Sequence, residues 1–418
     1  DWSSDVCSSD LHPSSFYALR ILLPLFISCT GWNMIRRTLS EAAPKLIESK
    51  FLDQTNYATL NTLSFVVYGL TKFATSHIVK SRLFSLYSIL FTIVGVFTFV
   101  CGMLCLQGPS MFPSFFCTWV LTYMCMGTLW PIICIIFKQW IPNNLHGLYW
   151  SVICCCSSVG TIICNNLSSL VHGDPARLYF VCSCVIFALA CIAFALFPKE
   201  THPTDIEYHP IPSAKPHASQ RARSSEIVSI CLLLAGVFIS TMNQRVLADW
   251  GLLLFPRILH DPSIAALSSA AISCIEIGGI LGTLWCGWVS DSFHLSRSLL
   301  CEVASVVAGL LVRYLPRVAS KMGFLAVSFF LGFFLYIPFS FSELIAIESV
   351  DAKYASFIIA MNGLVSPFGS VFSGIPVNLL IQKWGWETVP KVLNVSFILF
   401  SVLLWVNHRF HHTEKEQK

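Results

Sequence analysis

Apolar runs along the chain repeatedly reach the roughly 20 residues needed to cross a hydrocarbon core about 30 Å thick, and short polar breaks separate them. About twelve spans result. The first six are placed near Phe16–Ala43, Asn56–Val79, Leu83–Leu106, Met111–Phe137, Gly147–Val171 and Leu178–Phe197. The second six are placed near Ile227–Phe255, Ser263–Val289, Leu299–Leu315, Gly323–Ile347, Tyr354–Ile381 and Val389–Val406. Between the sets, 198–226 is rich in Pro, His, Ser, Lys and Arg and reads as a flexible aqueous linker.

Composition removes the soluble alternative. With 55% hydrophobic and 11% charged residues, 418 residues supply too little polar surface for a globule of this size. The expected fold is an all-α polytopic membrane protein with halves at 16–197 and 227–408, and a tail at 409–418. The even-numbered loops, the linker and the tail hold a modest excess of Lys and Arg, which puts both termini in the cytoplasm. A net charge of +4, dispersed along the chain, gives no nucleic-acid footprint.

Most of the 18 cysteines lie inside apolar spans, Cys154, Cys155 and Cys156 among them, and read as small, buried and reduced. No Cys/His spacing calls for a metal, and no cofactor is implied. Residues 1–11, DWSSDVCSSDL, form neither a signal peptide nor a plausible helix. They resemble translated sequencing-adaptor read-through and are set aside as non-native.

The informative residues are cations at membrane depth. Arg36 and Arg37 end one apolar stretch, Lys72 lies inside the next, and Arg245 occupies the comparable place in the second half. A charge at the bilayer centre costs at least about 2.5–3.5 kcal/mol, so it persists by facing a partner or a polar cavity. Cations around a cavity imply an anionic cargo. The halves also repeat weakly: FIS at Phe26–Ser28 recurs at Phe238–Ser240, and the SHIVKS ending of the second span aligns with CGWVSDS in the eighth. Gly278, Gly279, Gly282, Gly363, Gly369 and Gly374 suit close helix packing.

An ordered series of motifs carries a family resemblance. WNMIRRTLS (Trp32–Ser40) and YGLTKF (Tyr68–Phe73) resemble the first two helices of organophosphate:phosphate antiporters of the major facilitator superfamily. LWP (Leu129–Pro131), FKQW (Phe137–Trp140), DWG (Asp249–Gly251), EIGG (Glu276–Gly279) and GWVSD (Gly287–Asp291) follow in register. YIP (Tyr336–Pro338), AIES (Ala346–Ser349), GIP (Gly374–Pro376) and WGW (Trp384–Trp386) complete the series. The likeness is strongest to the eukaryotic glucose-6-phosphate transporter branch. It implies exchange of a sugar phosphate for inorganic phosphate by alternating access, an endoplasmic reticulum membrane and functional coupling to a phosphatase.

By that resemblance, Arg36 is the first-half phosphate ligand, a role that suits a permanently charged planar fork. Arg37 is kept among the candidate ligands, but of the two arginines it is the one expected to snorkel to the interface from the span end. Lys72, with Tyr68 four residues earlier on one helical face, either contributes charge to the cavity or pairs with a helix carboxylate. In the second half the family places Arg or Lys where this chain has Gln244, with Arg245 one residue later. That step rotates a side chain by about 100°, so either a bulge restores the geometry or the second cation is lost. Other departures are Ser157 and Ile359, where relatives carry histidine, and Lys80, where a loop usually ends in Asp.

Trp32, Asn33, Tyr68, Trp130, Tyr336 and Asn362 are candidates for recognising a sugar ring, two or three of them rather than all. Asp249, Glu276, Asp291 and Glu348 belong to motifs near helix ends or glycines, where structural or gating roles are expected in preference to proton coupling. No nucleophile and base at telling spacing suggests an enzyme. The rival readings are a carrier of another organophosphate or organic anion and a non-transporting sensor of phosphate or sugar phosphate.

Overall fold

A computed structural model of the protein describes residues 13–78, 83–140, 146–196, 224–259, 261–293, 295–349 and 352–416. Residues 1–11, Lys80 and nearly all of the linker at 198–226 lie outside them. Helices account for the architecture. The first half comprises α1 (Pro13–Glu48), α2 (Gln54–Ile78), α3 (Leu83–Gln107), α4 (Phe112–Trp140), α5 (His146–Leu170) and α6 (Pro175–Leu196). The second comprises α7 (Ser224–Ile258), a single turn α8 (Pro262–Ala265), α9 (Ser268–Phe293), α10 (Arg297–Tyr314), α11 (Lys321–Glu348), α12 (Ala352–Val371), α13 (Ile375–Trp384) and α14 (Thr388–Glu416). The last helix runs through the stretch expected to be a separate tail.

Among the described residues, ten helical stretches are long and apolar enough to cross a membrane. The other two crossings, α1 and α2, are 36 and 25 residues long but more polar, carrying Arg36, Arg37 and Glu41, and Lys72 among Asn, Thr and Ser. This polarity is the price of facing the interior cavity rather than lipid. By contrast α3 and α10 stand outside and present Ile89, Phe99 and Leu106, and Leu299, Val303 and Leu310, to the acyl chains. Among the described cysteines, Cys117, Cys154, Cys184, Cys191 and Cys231 are also exposed rather than buried, and none is in a disulfide.

Small residues set the tightest approach. A Cβ on Gly278 or Gly282 of α9 would stand 2.0 or 2.1 Å from a backbone oxygen of α11, so only glycine permits that contact. Gly363 meets nothing within 4 Å and serves no such purpose.

The eleventh crossing, expected as one span over Tyr354–Ile381, is two helices. Pro376 removes an N–H at the start of α13, and α12 stops at Val371. The freed Ile375 N–H is satisfied from the other half, donating to Thr62 Oγ1 of α2 at 2.8 Å. Gly374 allows this approach, since a Cβ there would sit 2.0 Å from the same oxygen. A similar correction applies before α9: Asp261 caps α8, accepting from Ser263 N at 2.7 Å, and α9 starts five residues later than the expected span. The bonds from Ser263 hold the Asp261 carboxyl below the usual carboxylate range.

The halves meet along α1 with α7, α2 with α12 and α13, and α5 with α9. Two membrane faces follow: a linker face, where α6 ends and α7 begins, and a far face, where α1 gives way to α2. Cross-half hydrogen bonds gather toward the far face. Gln54 Nε2 donates to Asn378 Oδ1 at 2.8 Å, Gln382 Nε2 to Thr55 Oγ1 at 3.1 Å, and Asn165 pairs with Ser273 at 3.1 Å. Among the described residues, these side-chain bonds tie the two halves together at the far face.

Candidate functional site

Arg36 lies two-thirds of the way along α1, half-buried, with no carboxylate within 4.0 Å among the described residues. Its guanidinium instead lies against three rings, 5.8 Å from Trp32, 5.7 Å from Phe65 and 5.4 Å from Tyr68. Helical spacing explains the set: Trp32 is one turn before Arg36 on α1, and Phe65 and Tyr68 are one turn apart on α2. Aromatic faces stabilise a cation by about 0.5–2 kcal/mol without neutralising it, so the charge stays available.

Arg245 comes to the same place from the opposite half. Its guanidinium is 5.6 Å from the Phe65 ring, half-buried, and its Nε has no partner among the described residues. The expected choice between a bulge and a lost cation does not arise, because α7 is an uninterrupted α-helix through this point. The long, flexible arginine stem carries the guanidinium back toward the cavity despite the one-residue step. Gln244 turns into its own half, where Nε2 donates to the Tyr336 hydroxyl at 3.1 Å. Tyr336 in turn donates to Glu276, which also holds the hydroxyl of Ser158 from α5.

Arg37 is not a snorkelling side chain. Only 5% exposed, it donates to the backbone oxygen of Ala248 on α7 and has Glu41 at 3.6 Å, one turn along α1. It therefore ties α1 to α7 inside the protein. Its carboxylate partner went unremarked in the sequence, although the i,i+4 spacing of Arg37 and Glu41 is the signal for such a pair. The neighbouring Asp249 accepts from Ser373 Oγ of the α12–α13 break at 2.7 Å. Trp250 donates to the Ser373 carbonyl, and Tyr57 of α2 donates to the Asp249 carbonyl. Asp249 and Glu276 are thus both buried and hydrogen-bonded. Asp291 and Glu348 lie on α9 and α11, their side chains outside the described set.

Of the remaining ring-recognition candidates, Tyr68 and Trp32 frame Arg36, and Trp130 packs edge-on against Trp32 at 6.3 Å. Asn33 points elsewhere, donating to the Cys29 carbonyl at 2.9 Å and to Cys156 Sγ at 3.4 Å. Asn362 is buried and donates to the Glu343 carbonyl at 3.3 Å. Both thus direct Nδ2 at protein partners, while Asn362 Oδ1 is buried with no partner among the described residues.

Lys72 is half-exposed on α2, one turn from Tyr68 toward the linker face. It makes no ion pair within 4.0 Å among the described residues, yet lies within electrostatic range of Glu343 on α11. Glu343 was not singled out in the sequence. The rule that picked out the cations, a charge inside an apolar span, applies to it equally. Ser157 is half-buried on α5, while the side chain of Ile359 lies outside the described residues.

Comparison with known proteins agrees with this architecture. Residues 21–374 match the family model of the Major Facilitator Superfamily. A protein named probable hexose phosphate transport protein in Chlamydia trachomatis is 23% identical, over 89% of this chain and 87% of its own. The membrane sensor protein UhpC of Salmonella typhimurium is 23% identical over 93% and 91%, and the glycerol-3-phosphate transporter of Bacillus subtilis 23% over 92% and 91%. Among solved structures, a mutant of the nucleoside transporter NupG superposes with a TM-score of 0.69 at 13% identity, covering 94% of this chain and 99% of that one. A bacterial homologue of the human lysosomal transporter Spinster, inward-facing and occupied, gives 0.62 at 14%, covering 96% and 97%.

Proposed function

Since the chain belongs to the Major Facilitator Superfamily, and to its organophosphate:phosphate antiporter branch, we propose that it exchanges a sugar phosphate, glucose 6-phosphate in the first instance, for inorganic phosphate. One observation carries the reading. Two guanidinium groups, one from each half, share the Phe65 ring, and among the described residues neither has a carboxylate within 4.0 Å. A phosphoryl group would bridge them.

The same charges give the coupling. Unneutralised cations on two halves repel by on the order of 2 kcal/mol near 10 Å at an effective dielectric constant of about 20. Closing the linker face of the empty carrier brings them together against that repulsion; a bound anion offsets it. Cargo therefore speeds switching because it stabilises the occluded state more than the open ones. Exchange outruns net movement in either direction. Proton coupling has no part in this cycle, and Asp249 and Glu276 act by holding helices together.

The test is counterflow. Purified protein in phosphate-loaded liposomes takes up labelled glucose 6-phosphate, an imposed pH gradient changes the rate little, and Arg36→Ala removes uptake. Folded protein that moves no phosphorylated sugar would instead favour a sensor, a second reading supported by the likeness to the sensor UhpC. Resemblance to the glucose-6-phosphate transporter branch favours an endoplasmic reticulum membrane and a partner phosphatase, whereas the bacterial relatives favour a plasma membrane. Localisation of the tagged chain decides between them.

A further inference from the structure

The carboxylate of Glu343 is unexplained by the packing of the helices. It sits in α11, a helix otherwise apolar over its membrane-crossing length, where an ionised group is expensive. Its side chain is exposed, and Lys72, Cys134 and Cys154 of the other half lie within electrostatic range, so it faces the cleft between the halves. Its own half offers it one hydroxyl, from Ser366 of α12. Across the cleft stands Lys72, beyond 4.0 Å, and Cys134 of α4 and Cys154 of α5 complete the surroundings. Among the described residues the group has neither an ion pair within 4.0 Å nor a donor beyond the Ser366 hydroxyl. Most of its acceptor capacity points into the cleft.

Position along the helix gives the distance scale. Glu343 follows Tyr336 by seven residues on the same face, about 10 Å nearer the linker face at 1.5 Å per residue. Tyr336 binds Gln244, the neighbour of Arg245, so the guanidinium pair and Glu343 stand at two depths of one cleft. Lys72, one turn from Tyr68, lies between these depths. A phosphoryl group on the arginines leaves the rest of a sugar phosphate extending past Lys72 toward a carboxylate. Hydroxyls donate well to a carboxylate; a second anionic group is repelled by it.

We propose that Glu343 determines cargo specificity, accepting hydrogen bonds from the hydroxylated tail of a monophosphate and excluding compounds that carry a second negative charge at that end. The inference rests on the phosphate-binding role proposed for Arg36 and Arg245. It makes the cleft bipolar: cationic at its apex and anionic toward its mouth. Lys72 tempers the carboxylate without cancelling it.

The experiment measures preference by binding as well as by transport. Full-length protein is assayed for thermal stabilisation, and for inhibition of phosphate counterflow, by glucose 6-phosphate and by 3-phosphoglycerate. The wild type favours the sugar phosphate. Glu343→Gln, which keeps shape and removes charge, narrows that preference by about tenfold, chiefly through tighter binding of 3-phosphoglycerate. Glu343→Asp preserves most of it, and Glu343→Ser replaces the glutamine variant if the latter does not fold. An unchanged ratio in a neutral variant that binds both compounds overturns the role of Glu343 and leaves the exchanger reading intact. No stabilisation of the wild type by any phosphorylated compound overturns the exchanger reading and this inference with it.

Discussion

Two adjacent pairs, Arg36–Arg37 on α1 and Gln244–Arg245 on α7, occupy corresponding places in the two halves and divide their labour in opposite order. In the first half the earlier residue faces the cavity and the later one, Arg37, is buried on Ala248 and Glu41. In the second half the earlier residue, Gln244, is buried on Tyr336, and the later one faces the cavity. Each pair thus supplies one group for cargo and one for the scaffold, so what the repeat preserves is the division of roles rather than the register. The buried members differ in kind. One is a charge with a carboxylate partner, the other a neutral amide.

The largest effect is expected at Arg36. Alanine there removes the first-half cation, and exchange falls at least about a hundredfold in proteoliposomes, while thermal stability stays close to wild type because the side chain has no close ion-pair partner. Arg36→Lys separates charge from shape: the ammonium retains the field and loses the planar fork, leaving activity between the two. Equal activity of lysine and arginine at this position would mean that the site reads charge alone.

Arg37 should behave in the opposite way. Replacing it with Gln leaves Glu41 buried beside no cation and costs about 3–5 kcal/mol, read as a lower thermal midpoint and a poor yield of monodisperse protein. A double replacement, Arg37→Met with Glu41→Gln, recovers much of that loss. If Arg37→Gln folds normally and only transport fails, Arg37 belongs with Arg36 as a cargo residue, and the contrast within the pair disappears.

How far these roles could be read beforehand differs along the same lines. The helices, their order and the cations on α1, α2 and α7 were legible, because a charge inside an apolar span is a local property of the sequence. Whether Arg37 snorkels or is buried was not, since that depends on Ala248 coming within reach from another helix. The direction of Arg245 stayed open between a bulge and a lost cation, because a side chain treated as a fixed spoke at about 100° per residue allows no other choice; a long stem on a regular helix adds a third. The break of the eleventh crossing carried a partial signal in Gly374 and Pro376. Its compensation, the hydroxyl of Thr62, lies more than 300 residues away. Glu343 was visible to the rule used for the cations and was passed over.

Exchanging the two residues of the second pair sharpens the comparison further. Gln244→Arg with Arg245→Gln restores the family register on paper, yet it buries an arginine beside Tyr336 and withdraws the cation from Phe65. Exchange should drop by about tenfold or more, as is expected of Arg245→Ala, rather than rise. An active swap would show that α7 rotates to present either position, and the roles would then follow sequence register after all.

The smallest effect is expected at Gln244 itself. Gln244→Leu gives up one neutral hydrogen bond to a tyrosine that keeps its bond to Glu276, a net change of about 0.5–1.5 kcal/mol in stability and less than about threefold in exchange. The contrast with Arg37 is a matter of what remains. Deleting Arg37 strands a buried carboxylate, whereas deleting the amide of Gln244 leaves Tyr336 donating as before and only an acceptor lone pair unfilled. If Gln244→Leu is instead as damaging as Arg37→Gln, then the Gln244–Tyr336–Glu276 chain transmits more than packing, and the neutral member of the second pair takes part in switching between the two faces.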